Sequence, residues 1–211
     1  MGWVLLLLPF EGALGDDPGS EKIDFFILQK KKAETNAEQG FSWNRLDTRY
    51  TVVQYKDLEE LKKFDRKIDF SPSEFSLKGL FAESSFEDMM GKIKIKIDAL
   101  HERVQEILDM RKKSDKKVTI NLYNGKKELA QAYQELFGSE LRVRAWYIYE
   151  LNTIYININD VDEGMLAHEL AHAVIDHYLT VRPPRASAEI LAVYVDTHLF
   201  RKTKKYGAGF E

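Results

Sequence analysis

Residues 160–179 read DVDEGMLAHELAHAVIDHYL, and inside them lies His168-Glu169-Leu170-Ala171-His172, an H-E-x-x-H pattern. Leu166, Ala167, Leu170, Ala171, Ala173 and Val174 around it are small or apolar, which predicts a buried helix rather than a surface one. On a helix turning about 100° per residue, His168 and His172 lie about 40° apart and one turn along, so their imidazoles can converge on one cation. Glu169 lies about 100° round from His168 and can reach a water on that cation without ligating it. Asp160 followed three positions later by Glu163 reads as a capping box with Asp in place of Ser or Thr.

A catalytic zinc takes three protein ligands and a water, so a third ligand has to come from elsewhere. His177 is rotated about 140° from His172, to the far side of the helix. The Gly and third His that follow in metzincins are replaced here by Ile175 and Tyr178, and the chain has no Cys for a deformylase-type ligand. A carboxylate on the next helix remains. Arg182-Pro183-Pro184-Arg185 breaks the chain, and residues 187–201, SAEILAVYVDTHLFR, read as that helix. Glu189 sits near its start among Ala188, Ile190, Leu191, Ala192 and Val193. A carboxylate in so apolar a setting needs a partner, and a zinc ion would be one. Asp196 is the alternative third ligand.

Upstream, residues 49–55 read as a strand, 57–64 as a short helix and 65–85 as a loop. Phe86, Met90, Ile93, Ile97, Leu100, Val104 and Ile107 follow a 4-3-4-3-4-3 spacing and form one apolar stripe of a helix over 86–112, with His101 beside it and given no role. Residues 117–123 alternate as a half-buried strand, and 126–137 form a helix stopped by Gly138. Residues 141–149 and 153–158 form a hairpin. The order predicts an α+β domain with a small, mostly antiparallel sheet. If strand 153–158 is the sheet edge, its backbone could pair with an extended substrate; otherwise it is an ordinary paired strand.

Of the 211 residues, 44% are hydrophobic and 31% charged, which is globular usage and excludes a disordered chain. Lys and Arg total 31 against 34 Asp and Glu, a net charge of −3 that argues against nucleic acid as a partner. The absence of Cys removes disulfides, Cys-ligated zinc and thiol nucleophiles. Residues 3–10, WVLLLLPF, are too short to span a bilayer, so no stable membrane anchor is expected. With Ala13-Leu14-Gly15 after them they match a signal-peptide core, although no basic residue precedes the run and Glu11 follows it closely. The expected organisation is a leader over 1–15, an extension or linker over 16–45, a catalytic domain over 46–206 and a tail over 207–211. A functional leader implies export to the periplasm or outside the cell; without it the chain is cytoplasmic.

The H-E-x-x-H helix, with Glu189-Ile190-Leu191-Ala192 on the helix after it, resembles the gluzincin metallopeptidases, the thermolysin-like zincins. It is most similar in size and style to small bacterial peptidase MA-like proteins. The resemblance covers 117–201 well and 46–116 loosely. It implies a zincin-like fold, one Zn2+ per chain on His168, His172 and Glu189, Glu169 as general base, and a peptide or protein substrate. A zinc-binding domain without proteolysis is the alternative. Gluzincins often carry an acid four residues after the ligand Glu; that position is Val193 here. Asp196, and less so Asp176, are the expected partners of the ligand imidazoles, and Tyr155 and Tyr194, with Tyr178 and His198 also in reach, the candidates for steadying the transition state.

Overall fold

A computed structural model describes residues 43–70, 86–111, 116–140 and 143–200. The proposed leader, most of the extension over 16–45, residues 71–85 of the expected loop 65–85 and the tail lie outside the described residues, and 65–67 belong to a helix. The elements run β1 (Asn44–Asp47), β2 (Thr51–Tyr55), α1 (Leu58–Lys67), α2 (Phe86–Leu108), β3 (Val118–Tyr123), α3 (Lys126–Phe137), β4 (Ala145–Ile148), β5 (Thr153–Asn157), α4 (Glu163–Tyr178) and α5 (Arg185–His198). This is an α+β arrangement, five strands and five helices among the described residues. None of these helices is long and apolar enough to cross a membrane.

The sheet order is β1-β2-β3-β5-β4. The outer pairs β1/β2 and β4/β5 are antiparallel, while β2/β3 and β3/β5 are parallel. The sheet is therefore mixed, not mostly antiparallel. Each parallel pair needs a crossover through helices, and here α1 with α2, and then α3, supply them. β1, Asn44–Asp47, spans the expected 45/46 boundary.

Strand alternation sends side chains to two cores. On one face Val53, Ile120, Leu122, Ile154 and Ile156 meet Leu61 and Phe64 of α1, Ile93, Ile97, Leu100 and Val104 of α2, and the buried sides of α4 and α5. On the other, Tyr123, Tyr155, Trp146 and Ile148 lie under Leu129, Ala132 and Leu136 of α3. Each fully buried Ile or Leu contributes about 1.5–3 kcal/mol relative to exposure, so the first cluster dominates the fold. The α2 stripe is buried as its spacing requires, but the helix stops at Leu108. Asp109 turns left-handed at φ 52° and Met110 N–H returns to the Gln105 carbonyl, a helix stop that uses no glycine.

His101 joins α2 to the β1–β2 turn. Its ring, 6% exposed, stacks on Tyr50 with centroids 4.6 Å apart. Beside it the Asp98 carboxylate accepts from the Thr48 hydroxyl and the Arg49 and Tyr50 amides. Burial pushes the imidazole down to about 4, with Asp98 opposing and His177 adding to the shift. The folded-state value lies below the ordinary 6.5, so as pH falls the unfolded chain takes up the proton first. The contribution of His101 is then lost between about pH 6.5 and 4. Replacing His101 with Phe should remove up to about 2 kcal/mol of the acid-induced loss between pH 7 and 5, measured as the difference between wild-type and variant denaturation curves at those two pH values. Parallel curves at both pH values would refute the assignment.

Candidate metal centre

α4 starts two residues later than the capping-box reading. Its N-cap is Asp162, whose carboxylate accepts from Met165 N–H, while Asp160 is occupied by the Asn157 side-chain amide. Glu163 reaches instead to the Asp69 amide. From this start α4 buries Leu166, Ala167, Leu170, Ala171, Ala173 and Val174 against the sheet and its neighbours, and presents His168 and His172 on one face. The linker then reverses the chain. α5 begins after Pro184 and lays Ala192 and Val195 into the same core.

These two helices bring together what the spacing predicts. The Nε2 atoms of His168 and His172 are 3.3 Å apart. His168 Nε2 is 3.5 Å from Glu189 Oε2, and His172 Nε2 is 3.7 Å from Glu189 Oε1. Tetrahedral zinc with ligands at about 2.0–2.1 Å places its donor atoms roughly 3.3–3.4 Å from one another. Two imidazoles and a carboxylate form a donor set suited to that ion, and the three groups could hold it with one position left over. All three side chains are partly exposed, 24%, 15% and 44% in that order, so solvent reaches the point of convergence. Burial pushes the His172 imidazole down to about 4, aided by His168 and the arginines 185 and 182 against the pull of Glu189. At neutral pH His172 is therefore unprotonated, the form that binds a metal.

Glu169 points into the protein and is 8% exposed. Burial, and then the Glu189 charge, push its carboxyl up to about 8. A carboxyl raised in this way beside a possible cation site is a candidate general base, because a bound cation would favour its ionised form.

The remaining candidates land elsewhere. Asp196 lies one turn N-terminal of His168, against Gly164, where an added Cβ would run into its carboxylate. It lies outside the group formed by His168, His172 and Glu189. Asp176 accepts from Arg182 Nε at 3.3 Å rather than from His172. Tyr155 projects to the α3 side of the sheet, 2% exposed and stacked on Trp146 with centroids 4.9 Å apart, so β5 holds it on the face away from α4. Tyr194 stacks on His198 of its own helix. His177 faces the Asn152 side-chain oxygen at 2.7 Å and is no ligand. Strand β5 pairs on both sides, so the outer strand beside α4 is β4, not 153–158. Arg182 and Arg185 were missed as neighbours of the site. The two arginines flank the proline pair, and Arg185 lies 3.9 Å from Glu189.

The raised Glu169 value has a consequence for stability. Its folded-state value exceeds the ordinary 4.5, so its contribution is fully present below about pH 4.5 and is lost as pH rises toward 8. Glu169→Gln removes this ionisation. It should stabilise the metal-free protein by on the order of 3 kcal/mol at pH 8 and by little at pH 4.5, read from thermal melts in chelator. A variant no more stable than wild type at pH 8 would contradict the buried position of the carboxyl. Comparison with protein-family models, with curated protein sequences and with solved structures finds no match to this chain.

Proposed function

We propose that the protein is a zinc-dependent metallopeptidase with a zincin-like fold of the gluzincin type. The observation that carries this reading is the meeting of His168, His172 and Glu189 from two helices, within 4.8 Å of one another, beside the buried carboxyl of Glu169. Two histidines alone would serve many purposes. A carboxyl raised toward neutrality next to a three-donor set matches what water activation requires and what metal storage does not.

His168 and His172, through Nε2, and Glu189, through its carboxylate, would hold the zinc. Zinc, when bound, polarises the scissile carbonyl and brings a bound water toward neutral pKa. The Glu169 carboxylate takes the proton of the attacking water and delivers it to the departing amine. The substrate backbone has a natural partner in β4, which is an outer strand of the sheet among the described residues and packs against α4. An extended peptide added there would lie alongside the helix that carries the histidines.

Metal analysis of protein purified without chelator should find about one zinc per chain, lost in Glu189→Ala. Glu169→Gln should keep the zinc and lower peptide hydrolysis by about 10²–10⁴-fold. Zinc retained without Glu189 would move the third ligand elsewhere. Zinc bound with no cleavage of any peptide library would favour a non-proteolytic zinc domain, and full activity in Glu169→Gln would overturn the mechanism.

A further inference from the structure

We infer that Arg182 is a positioning residue that sets where Glu189 stands relative to the two histidines. The inference rests on the proposed metal centre and concerns the six residues that join its two helices.

The end of α4 is tied to the sheet. The β4–β5 turn contains Asn152 in the left-handed region, φ 46°. Its side-chain amide donates to the Lys117 carbonyl, and its oxygen receives the Tyr147 hydroxyl at 3.2 Å and the His177 imidazole at 2.7 Å. With the amide already spent on Lys117, the imidazole donates. The last turn of α4, and with it Asp176, is thereby a fixed post on the sheet.

Arg182 grips that post. Its Nε lies 3.3 Å from Asp176 Oδ1, its Nη1 4.0 Å from Glu150 Oε1, and its guanidinium 4.8 Å from the Tyr149 ring centre. An exposed ion pair alone holds little. The Asp176 side chain, however, is only 5% exposed, and its carboxylate depends on the guanidinium as its counter-charge. A planar guanidinium that meets two carboxylates and a ring is fixed in orientation as well as position.

The grip transmits because the next two residues are Pro183 and Pro184. Each proline fixes its own φ and restricts the residue before it, so the pair is a short stiff rod. Pro184 ends it as the N-cap of α5, its carbonyl receiving the Ser187 and Ala188 amides. Glu189 follows one turn later. A stiff connector registers the second helix only if its upstream end is held, and Arg182 is what holds it.

The experiment measures zinc affinity by competition with a chromogenic chelator, and the visible spectrum of the cobalt-substituted protein, in full-length wild type, Arg182→Ala, Arg182→Lys and Pro183→Gly/Pro184→Gly. Arg182→Ala should weaken zinc about 10- to 100-fold, the range for residues that orient metal ligands, and alter the cobalt bands. Arg182→Lys should recover part of the loss, since it restores the charge on Asp176 without the fork. The glycine pair keeps the ion pair intact, so it tests the rod even if Arg182→Ala fails to fold, and should show a similar loss. Wild-type affinity and spectrum in Arg182→Ala or in the glycine pair overturn the inference while the metal centre stands. A wild-type chain that binds no zinc overturns both.

Discussion

The structure depends on how closely α4 and α5 approach. Ala167 and Ala171 of α4 and Ala192 of α5 are fully buried in the core that the two helices share, with Val195 also in it. Small side chains let two helix backbones come near enough for a short glutamate on one to meet histidines on the other. The pair runs antiparallel: Glu189 near the start of α5 meets the middle of α4, and Asp196 farther along meets Gly164 at its beginning. Larger residues at the alanines would widen the spacing and part the donor atoms, because packed cores yield little.

The same packing explains the state of Glu169. A helix that turns its histidines to solvent must turn the residue next to one of them inward, about 100° round. The inward side of α4 packs on an apolar floor made by the sheet and α2. The carboxyl is buried because the fold is well packed, and its raised pKa follows from that burial. Site chemistry and core packing are thus one arrangement, and a substitution that loosens the floor would change both.

Much of this was legible in the chain, for reasons that also mark the limits. Periodicity and turn residues located α2, α3 and the β4–β5 hairpin closely, because Gly138 and the apolar stripe are strong local signals. The cap of α4 was misjudged by two residues because Asp160 and Asp162 are equally able caps, and only the Asn157 amide decides between them. β1 was hidden because NRLD is short, polar and largely exposed. Parallel pairing and the inner place of β5 depend on crossovers, which local alternation does not encode. The face of Tyr155 could have been read: Ile154 and Ile156 must point to the larger core, so the residue between them points away. The reach of Asp196 could have been read as well. Seven residues past Glu189 is about 10 Å along the helix, beyond His168 in an antiparallel pair.

The charges around the three donors are of the kind that the proposed cation would accommodate. Glu169 and Glu189 are close enough for the second to raise the first. His172 is held neutral by burial although a carboxylate lies beside it. A purely structural cluster would let that imidazole take a proton and pair with Glu189, or would replace one acid with an amide. Here two acidic side chains are kept near each other, at a cost in stability when both are ionised, and the nearby imidazole stays uncharged. A divalent cation among the three donors would attract both carboxylates and would take the imidazole in the unprotonated form it already has. That compatibility adds to the sequence motif in support of the proposed metal centre.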